Sequence, residues 1–193
     1  MNDVHPPKGV LIVIDMLNDF FERGTYNRDA LVQAVNDLVG DARAWGVPIV
    51  WVRQEFEPDL SAAFLEMRRR RISITIKGSS GCDFLADLDV RSGDPVVVKK
   101  RYSAFFGTDL DGLLDRLDAD RLILAGINTH ACVRMTAIDA YQRDFDVVIA
   151  KDCVASNDLE HHAISLRYME GKIAHVLNKE KIRSLISSKS TGA

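Results

Sequence analysis

The sequence predicts an α/β fold: a three-layer α/β/α sandwich around a six-stranded, mainly parallel Rossmann-like sheet. Three observations carry this expectation. Short β-branched runs alternate with longer amphipathic stretches along the chain, the pattern of successive β–α units with helices on both faces of a parallel sheet. The first run, Gly9-Val-Leu-Ile-Val-Ile-Asp15, is apolar on both of its faces, as a central parallel strand must be. The length, 193 residues, fits one domain and makes two unfavourable, while sufficing to bury a full core.

The elements follow in order. After the first strand, residues 28–45 place Leu31, Val35, Leu38, Val39 and Ala42 at helical spacing, and Gly46 ends that helix. Val47-Pro-Ile-Val-Trp-Val52 is the second strand. Pro95-Val-Val-Val-Lys99 follows a Gly-Asp-Pro turn and reads as the third. Residues 121–126 form the fourth, with a helix over 131–143 behind it. Residues 146–150 form the fifth, followed by a helix over 159–170. Residues 173–177 are a sixth strand, and a last helix starts at Lys179. The chain 1–193 is one domain with short frayed termini, about 1–8 and 187–193.

The stretch between the second and third strands is the least readable. Its Met67-Arg-Arg-Arg-Arg71 run, with arginines from Arg68 to Arg71, reads as a solvated helix face or an oligomer contact; the alternative is an anion-steering rim near the site. Gly78-Ser-Ser-Gly81 reads as a loop and not as a phosphate cradle, because no strand leads into it in the required order.

Composition excludes several classes. Apolar residues make up 47% and charged residues 27%, with a net charge of −3. That balance speaks against nucleic acid and against an anionic membrane as partner. No apolar run approaches a membrane span, and the amino terminus lacks the basic-then-apolar pattern of a signal peptide. The three cysteines, Cys82, Cys132 and Cys153, are too few and odd in number for a disulfide framework, and suit a reducing compartment. The expectation is a cytoplasmic protein acting on a small molecule.

In parallel α/β sheets ligands bind at the carboxyl ends of the strands. The residues there are Asp15, Arg53, Gln54, Lys99, Lys100, the loop 126–132, Lys151 and Asp152. Three of them form a chemically complete set. Cys132 follows a buried strand at the expected start of a helix, where free N–H groups and the dipole favour a thiolate; alternatively it is a small buried apolar side chain. Asp15 ends an apolar strand and needs a partner, or else caps a turn. Lys99 poses the same problem, or snorkels to the edge. Together, a carboxylate can accept the thiol proton while an ammonium stabilises the resulting anion.

These residues lie in three blocks: Leu11-Ile-Val-Ile-Asp15 with Asp19-Phe20; Val96-Val-Val-Lys-Lys-Arg-Tyr-Ser-Ala-Phe105 with Thr108-Asp-Leu110; and Leu124-Ala-Gly-Ile-Asn-Thr-His-Ala-Cys-Val133 with Thr136-Ala-Ile-Asp-Ala140. In series they resemble the isochorismatase-like cysteine hydrolase superfamily, which includes nicotinamidases, N-carbamoylsarcosine amidases and ureidoacrylate amidohydrolases. The resemblance runs from about Gly9 to Val176. Its Lys-x-Arg-Tyr-Ser-Ala-Phe pattern selects Lys99, not Lys100, and implies Asp15 as general base and Cys132 as nucleophile. It implies an oxyanion hole from the backbone N–H groups of Asn128 and Cys132, a cis peptide between Ile127 and Asn128, and a homo-oligomer, dimer or tetramer. Phe20, Gln54 and Tyr102 are expected pocket walls by position.

Two departures narrow this. Nicotinamidases carry Asp-x-His after the second strand to bind a metal; here Trp51-Val-Arg-Gln-Glu-Phe-Glu-Pro-Asp59 has no histidine. No metal and no cofactor are therefore expected. His161 and His162, neighbours on a helix, point about 100° apart and are expected at the surface. Isochorismatases proper cleave a vinyl ether without needing a cysteine, so an intact Cys132 favours acyl transfer. The sequence thus points to a metal-independent hydrolase of a small amide, ureido or related C–N substrate. A vinyl-ether hydrolase and a catalytically silent binding protein are the alternatives. Leu17 stands where many relatives have Gln, and is expected to face the pocket beside Asp15.

Overall fold

A computed structural model of the chain describes residues 8–23 and 26–187. Of the termini expected to fray, 1–7 and 188–193 lie outside these residues; Lys8 forms an ion pair with Asp118. The strands are β1 (Gly9–Ile14), β2 (Ile49–Gln54), β3 (Val96–Lys99), β4 (Arg121–Ile127), β5 (Asp146–Ala155) and β6 (His175–Leu177). They form one sheet in the order β3-β2-β1-β4-β5-β6, and every pairing is parallel. The helices are α1 (Asn18–Arg23), α2 (Arg28–Ala44), α3 (Leu65–Arg70), α4 (Leu110–Arg116), α5 (Arg134–Tyr141), α6 (Leu159–Met169) and α7 (Lys179–Ser187). None of the described helices is long and apolar enough to cross a membrane.

The all-apolar β1 is buried along its whole length, and its alternate side chains feed two separate cores. Leu11 and Val13 pack with Val35, Leu38 and Val39 of α2 and with Ile182 of α7. Val10, Ile12 and Ile14 pack with Leu110 and Leu114 of α4 and with Ala137 and Ala140 of α5. Each fully buried aliphatic side chain contributes about 1.5–3 kcal/mol, so both faces of the central strand are fixed. A third, small cluster of Phe56, Leu60 and Ala63, with Phe64, Met67 and Ile76 against it, holds the segment between β2 and β3.

Several elements differ from expectation. The short helices α1 and α4 are absent from the sequence reading, and α3 enters it only as a helix face for the arginine run; their six or seven residues cover too few turns to show a period. β5 runs on to Ala155, past the expected end at residue 150. Lys151 and Asp152 are exposed there, but Cys153 and Val154 return to the core. The extension pairs with β4 across a register shift between Leu124 and Gly126. Gly126 has φ +104°, and a Cβ there would lie 2.0 Å from the carbonyl oxygen of Ile14; only glycine fits.

The strand order reverses direction between β1 and β4. Such a switch point opens a crevice at the carboxyl ends of the two strands. Asp15 follows β1 and Asn128 follows β4, so both stand at that crevice.

Candidate active site

Asp15 is held by its backbone. Its φ is +56°, its N–H donates to Val52 O (2.9 Å) and its carbonyl accepts from Leu17 N (2.8 Å). Its carboxylate is 1% exposed. Lys99, last residue of β3, is fully buried, and an ammonium has three protons to place. Nζ lies 2.6 Å from Asp15 Oδ2, donates to Arg101 O at 3.1 Å and reaches Cys132 Sγ at 3.4 Å. Three partners for three donors argue that the ammonium is retained. Burial alone would lower its pKa; its contacts with Asp15 first and with Cys132 after it outweigh that and hold it above the ordinary lysine value. Asp15 Oδ1 has no hydrogen-bond partner among the described residues.

Cys132 does not begin a regular helix. It lies in a wide π turn, Thr129–Val133, that leads into α5. The helix start expected to favour a thiolate is opposed by burial. Burial, and then the charge of Asp15, push the thiol up to about 12, with Lys99 pulling the other way. The low-dielectric surroundings win over the dipole. The turn is pinned by Thr136, whose hydroxyl donates to Cys132 O (2.7 Å) and accepts from Ala104 N (3.0 Å). The block 101–105 is thereby tied to the turn that carries Cys132.

The loop between β4 and this turn contains a cis peptide, Ile127–Asn128. The backbone N–H of Asn128 has no hydrogen-bond partner among the described residues. The Asn128 side chain is fixed: Oδ1 accepts from Tyr26 Oη (2.7 Å) and from Asn157 N (3.3 Å). Burial pushes the Tyr26 phenol up to about 12, so it stays a neutral donor.

A cleft of about 260 Å³ opens onto Asp15 and Cys132. Phe20, Gln54 and Tyr102 line it, as do Phe64, Met67, Asn128, His130 and Asn157. Gln54 is paired with Lys99 in the sheet register. Leu17 does not line the cleft: it is fully buried and bridges to Phe84. Sequence reasoning missed Tyr26, Phe64, Met67, His130 and Asn157. Phe64 and Met67 carried a signal, two apolar residues three apart bordering the arginine run. Arg68 to Arg71 are exposed, with Arg70 on Glu66 at 2.6 Å, so the run is the outer face of the helix whose inner side supplies Met67. Lys100, Arg53, Lys151 and Asp152 are not among the lining residues.

The histidines correct a second expectation. His161 is exposed and bonds to Asp158, the cap of α6 (2.7 Å). His162 is half-buried, with Nδ1 3.0 Å from Thr129 Oγ1 in the turn that carries Cys132. His130 Nδ1 lies 3.0 Å from Ser156 Oγ. Burial holds both His130 and His162 below the usual histidine pKa. Among the described residues no group of three or more His, Cys, Asp or Glu is placed to hold a metal ion.

Comparison with known proteins gives a consistent picture. Residues 9–181 match the isochorismatase domain family. The chain is 32% identical, over 83% of its length and 87% of the other's, to a probable inactive nicotinamidase of Arabidopsis thaliana. It is 30% identical to a ureidoacrylate amidohydrolase of Methylorubrum extorquens, covering 86% of this chain and 75% of that one. The crystal structure of a cysteine hydrolase from Pseudomonas syringae superposes with a TM-score of 0.86 at 25% identity, over 96% and 95% of the two chains.

Proposed function

The chain belongs to the isochorismatase family of hydrolases, and from that premise we propose that it hydrolyses a C–N bond of a small amide or ureido compound through a thioester on Cys132. The observation that carries this reading is the Lys99 ammonium, 2.6 Å from Asp15 and 3.4 Å from Cys132, buried behind a cleft lined by both the carboxylate and the thiol.

At rest the site holds one carboxylate, one ammonium and one neutral thiol. A thiol held near 12 is a poor nucleophile by itself, so attack must be coupled to proton transfer. As Sγ bonds to the substrate carbonyl carbon, its proton passes to Asp15, whose Oδ1 is open to receive it. The carbonyl oxygen becomes an oxyanion and takes the N–H groups of Asn128 and Cys132. Collapse breaks the C–N bond, and Asp15 returns the proton to the departing nitrogen. The thioester is then attacked by a water that gives its proton to Asp15; collapse releases the acid, and the proton returns to Sγ. Lys99 keeps its charge throughout and offsets the negative charge that moves between Asp15 and Sγ. Every proton has a holder among these side chains, and no step calls for a metal.

Ammonia or amine release from a panel of small amides and ureides tests the reading, with the thioester sought by mass spectrometry after rapid quenching. Cys132→Ala should abolish release. Release that survives this substitution would overturn the thioester, and turnover of a vinyl ether but of none of the amides or ureides would instead point to vinyl-ether cleavage, which needs an acid and no thiol.

A further inference from the structure

The electrostatics of the cleft speak to the substrate itself, on the reading that Cys132 attacks a carbonyl there. Among the lining residues the one formal charge at neutral pH is that of Asp15. Lys99, which balances it, is fully buried behind the wall. The buried ion pair therefore turns its negative end to the ligand. Arg101 follows the same strand but is committed elsewhere: Nη1 donates to the carbonyls of Ala62 (2.9 Å) and Lys100 (2.5 Å), and the guanidinium lies over the Phe64 ring.

What the walls do offer is neutral hydrogen bonding. Gln54 is 5% exposed, and its Nε2 has no partner among the described residues. A buried orphan donor is costly unless a ligand takes its hydrogen bond. His130 is a second donor, and its tautomer can be assigned. Ser156, 3% exposed, accepts the backbone N–H of His130 at 3.3 Å. Its own hydroxyl proton then has one acceptor in reach among the described residues, His130 Nδ1 at 3.0 Å. With Nδ1 accepting, the proton of the neutral ring is on Nε2.

We infer that the cleft selects an uncharged substrate, whose polar groups are neutral carbonyls read by Gln54 and His130, and that it rejects carboxylates. A carboxylate entering here would lose its water and face Asp15 with no cation in return. A carbonyl would take up the donor that Gln54 holds idle. The rings of Phe20, Phe64 and Tyr102 suit a flat apolar remainder.

Iodoacetamide and iodoacetate place a neutral amide or a carboxylate on the same alkylating carbon. With each rate divided by that reagent's rate on glutathione, Cys132 should be labelled about tenfold or more faster by the amide near neutral pH. Equal normalised rates, or a preference for iodoacetate, overturn the inference. Recognition is read apart from reactivity in Cys132→Ala, by titrating benzamide and benzoate against the amide chemical shifts of Asn128 and His130. Benzamide should move them and benzoate should not; equal binding, or binding of neither, overturns the inference. A Cys132 inert to both alkylators, beside selective benzamide binding, would instead sink the cysteine-nucleophile reading while the selectivity stands.

Discussion

Two acid–base pairs in this molecule look alike and are built to opposite ends. Asp94 and Arg43 join the loop before β3 to α2. Arg43 Nη1 and Nη2 donate to the two Asp94 oxygens at 3.0 and 2.7 Å, and Oδ2 also accepts from Trp51 Nε1 (2.9 Å) and Arg91 N (3.0 Å). The acceptor is saturated, and Asp94 is held down at about 2, chiefly by Arg43. Asp15 and Lys99 are more deeply buried, yet Asp15 Oδ1 is left without a partner. The structural ion pair gives a donor to both carboxylate oxygens, whereas on the proposed reading the Asp15 carboxylate keeps an acceptor for a proton in transit.

The largest effect should come from closing that acceptor. Asp15→Asn keeps the shape but cannot take a proton, and should lower turnover by about 10²–10⁴ or more, with the circular dichroism spectrum unchanged. A variant that turns over normally would remove the contrast. Next is Lys99→Met, which leaves Asp15 buried and unpaired; about 3–5 kcal/mol of stability should be lost in urea titrations. Because Lys99 pulls the Cys132 thiol down, its removal should also move the alkylation profile of Cys132 to higher pH. An unmoved profile would break the coupling drawn here.

Asp94→Asn tests the structural pair. A carboxylate lowered from 3.8 to about 2 contributes about 2 kcal/mol at neutral pH. Since the folded value is the depressed one, this stability is present above about pH 4 and is lost as pH falls towards 2. Urea titrations of parent and variant should therefore converge in acid, with turnover at neutral pH unaffected. The smallest effect is expected from Tyr26→Phe, which deletes the hydrogen bond to Asn128. It should cost about 1 kcal/mol of stability and a severalfold fall in turnover. No change in either would mean that Asn128 is held by its backbone alone.

The contrast between legible and illegible parts has a physical origin. β1 declared itself because burial on both faces demands an unbroken apolar run, and Asp15 stood out as the first polar residue after it. Lys99 was found at the end of the edge strand β3, and Cys132 a few residues past the buried strand β4. The cleft walls were not so marked. Phe64, Met67 and His130 meet only through long-range folding, and an aromatic in a connection reads the same whether it lines a cleft or covers a core. The upward push on the Cys132 thiol was not legible because local position predicts the dipole, while burial, its first cause, is set by the whole fold. β5 was cut short because Lys151 and Asp152 interrupt it on an exposed stretch before the chain returns to the core.

Gly126 bears on how the protein tolerates change. It carries no chemistry, but the atom its side chain would meet is the carbonyl oxygen of Ile14, on the strand that delivers Asp15. A backbone obstacle cannot be relieved by a rotamer change or by a smaller neighbour. In a saturation library scored for growth or turnover, this position should therefore be as intolerant as Cys132, and second-site suppressors should be scarce.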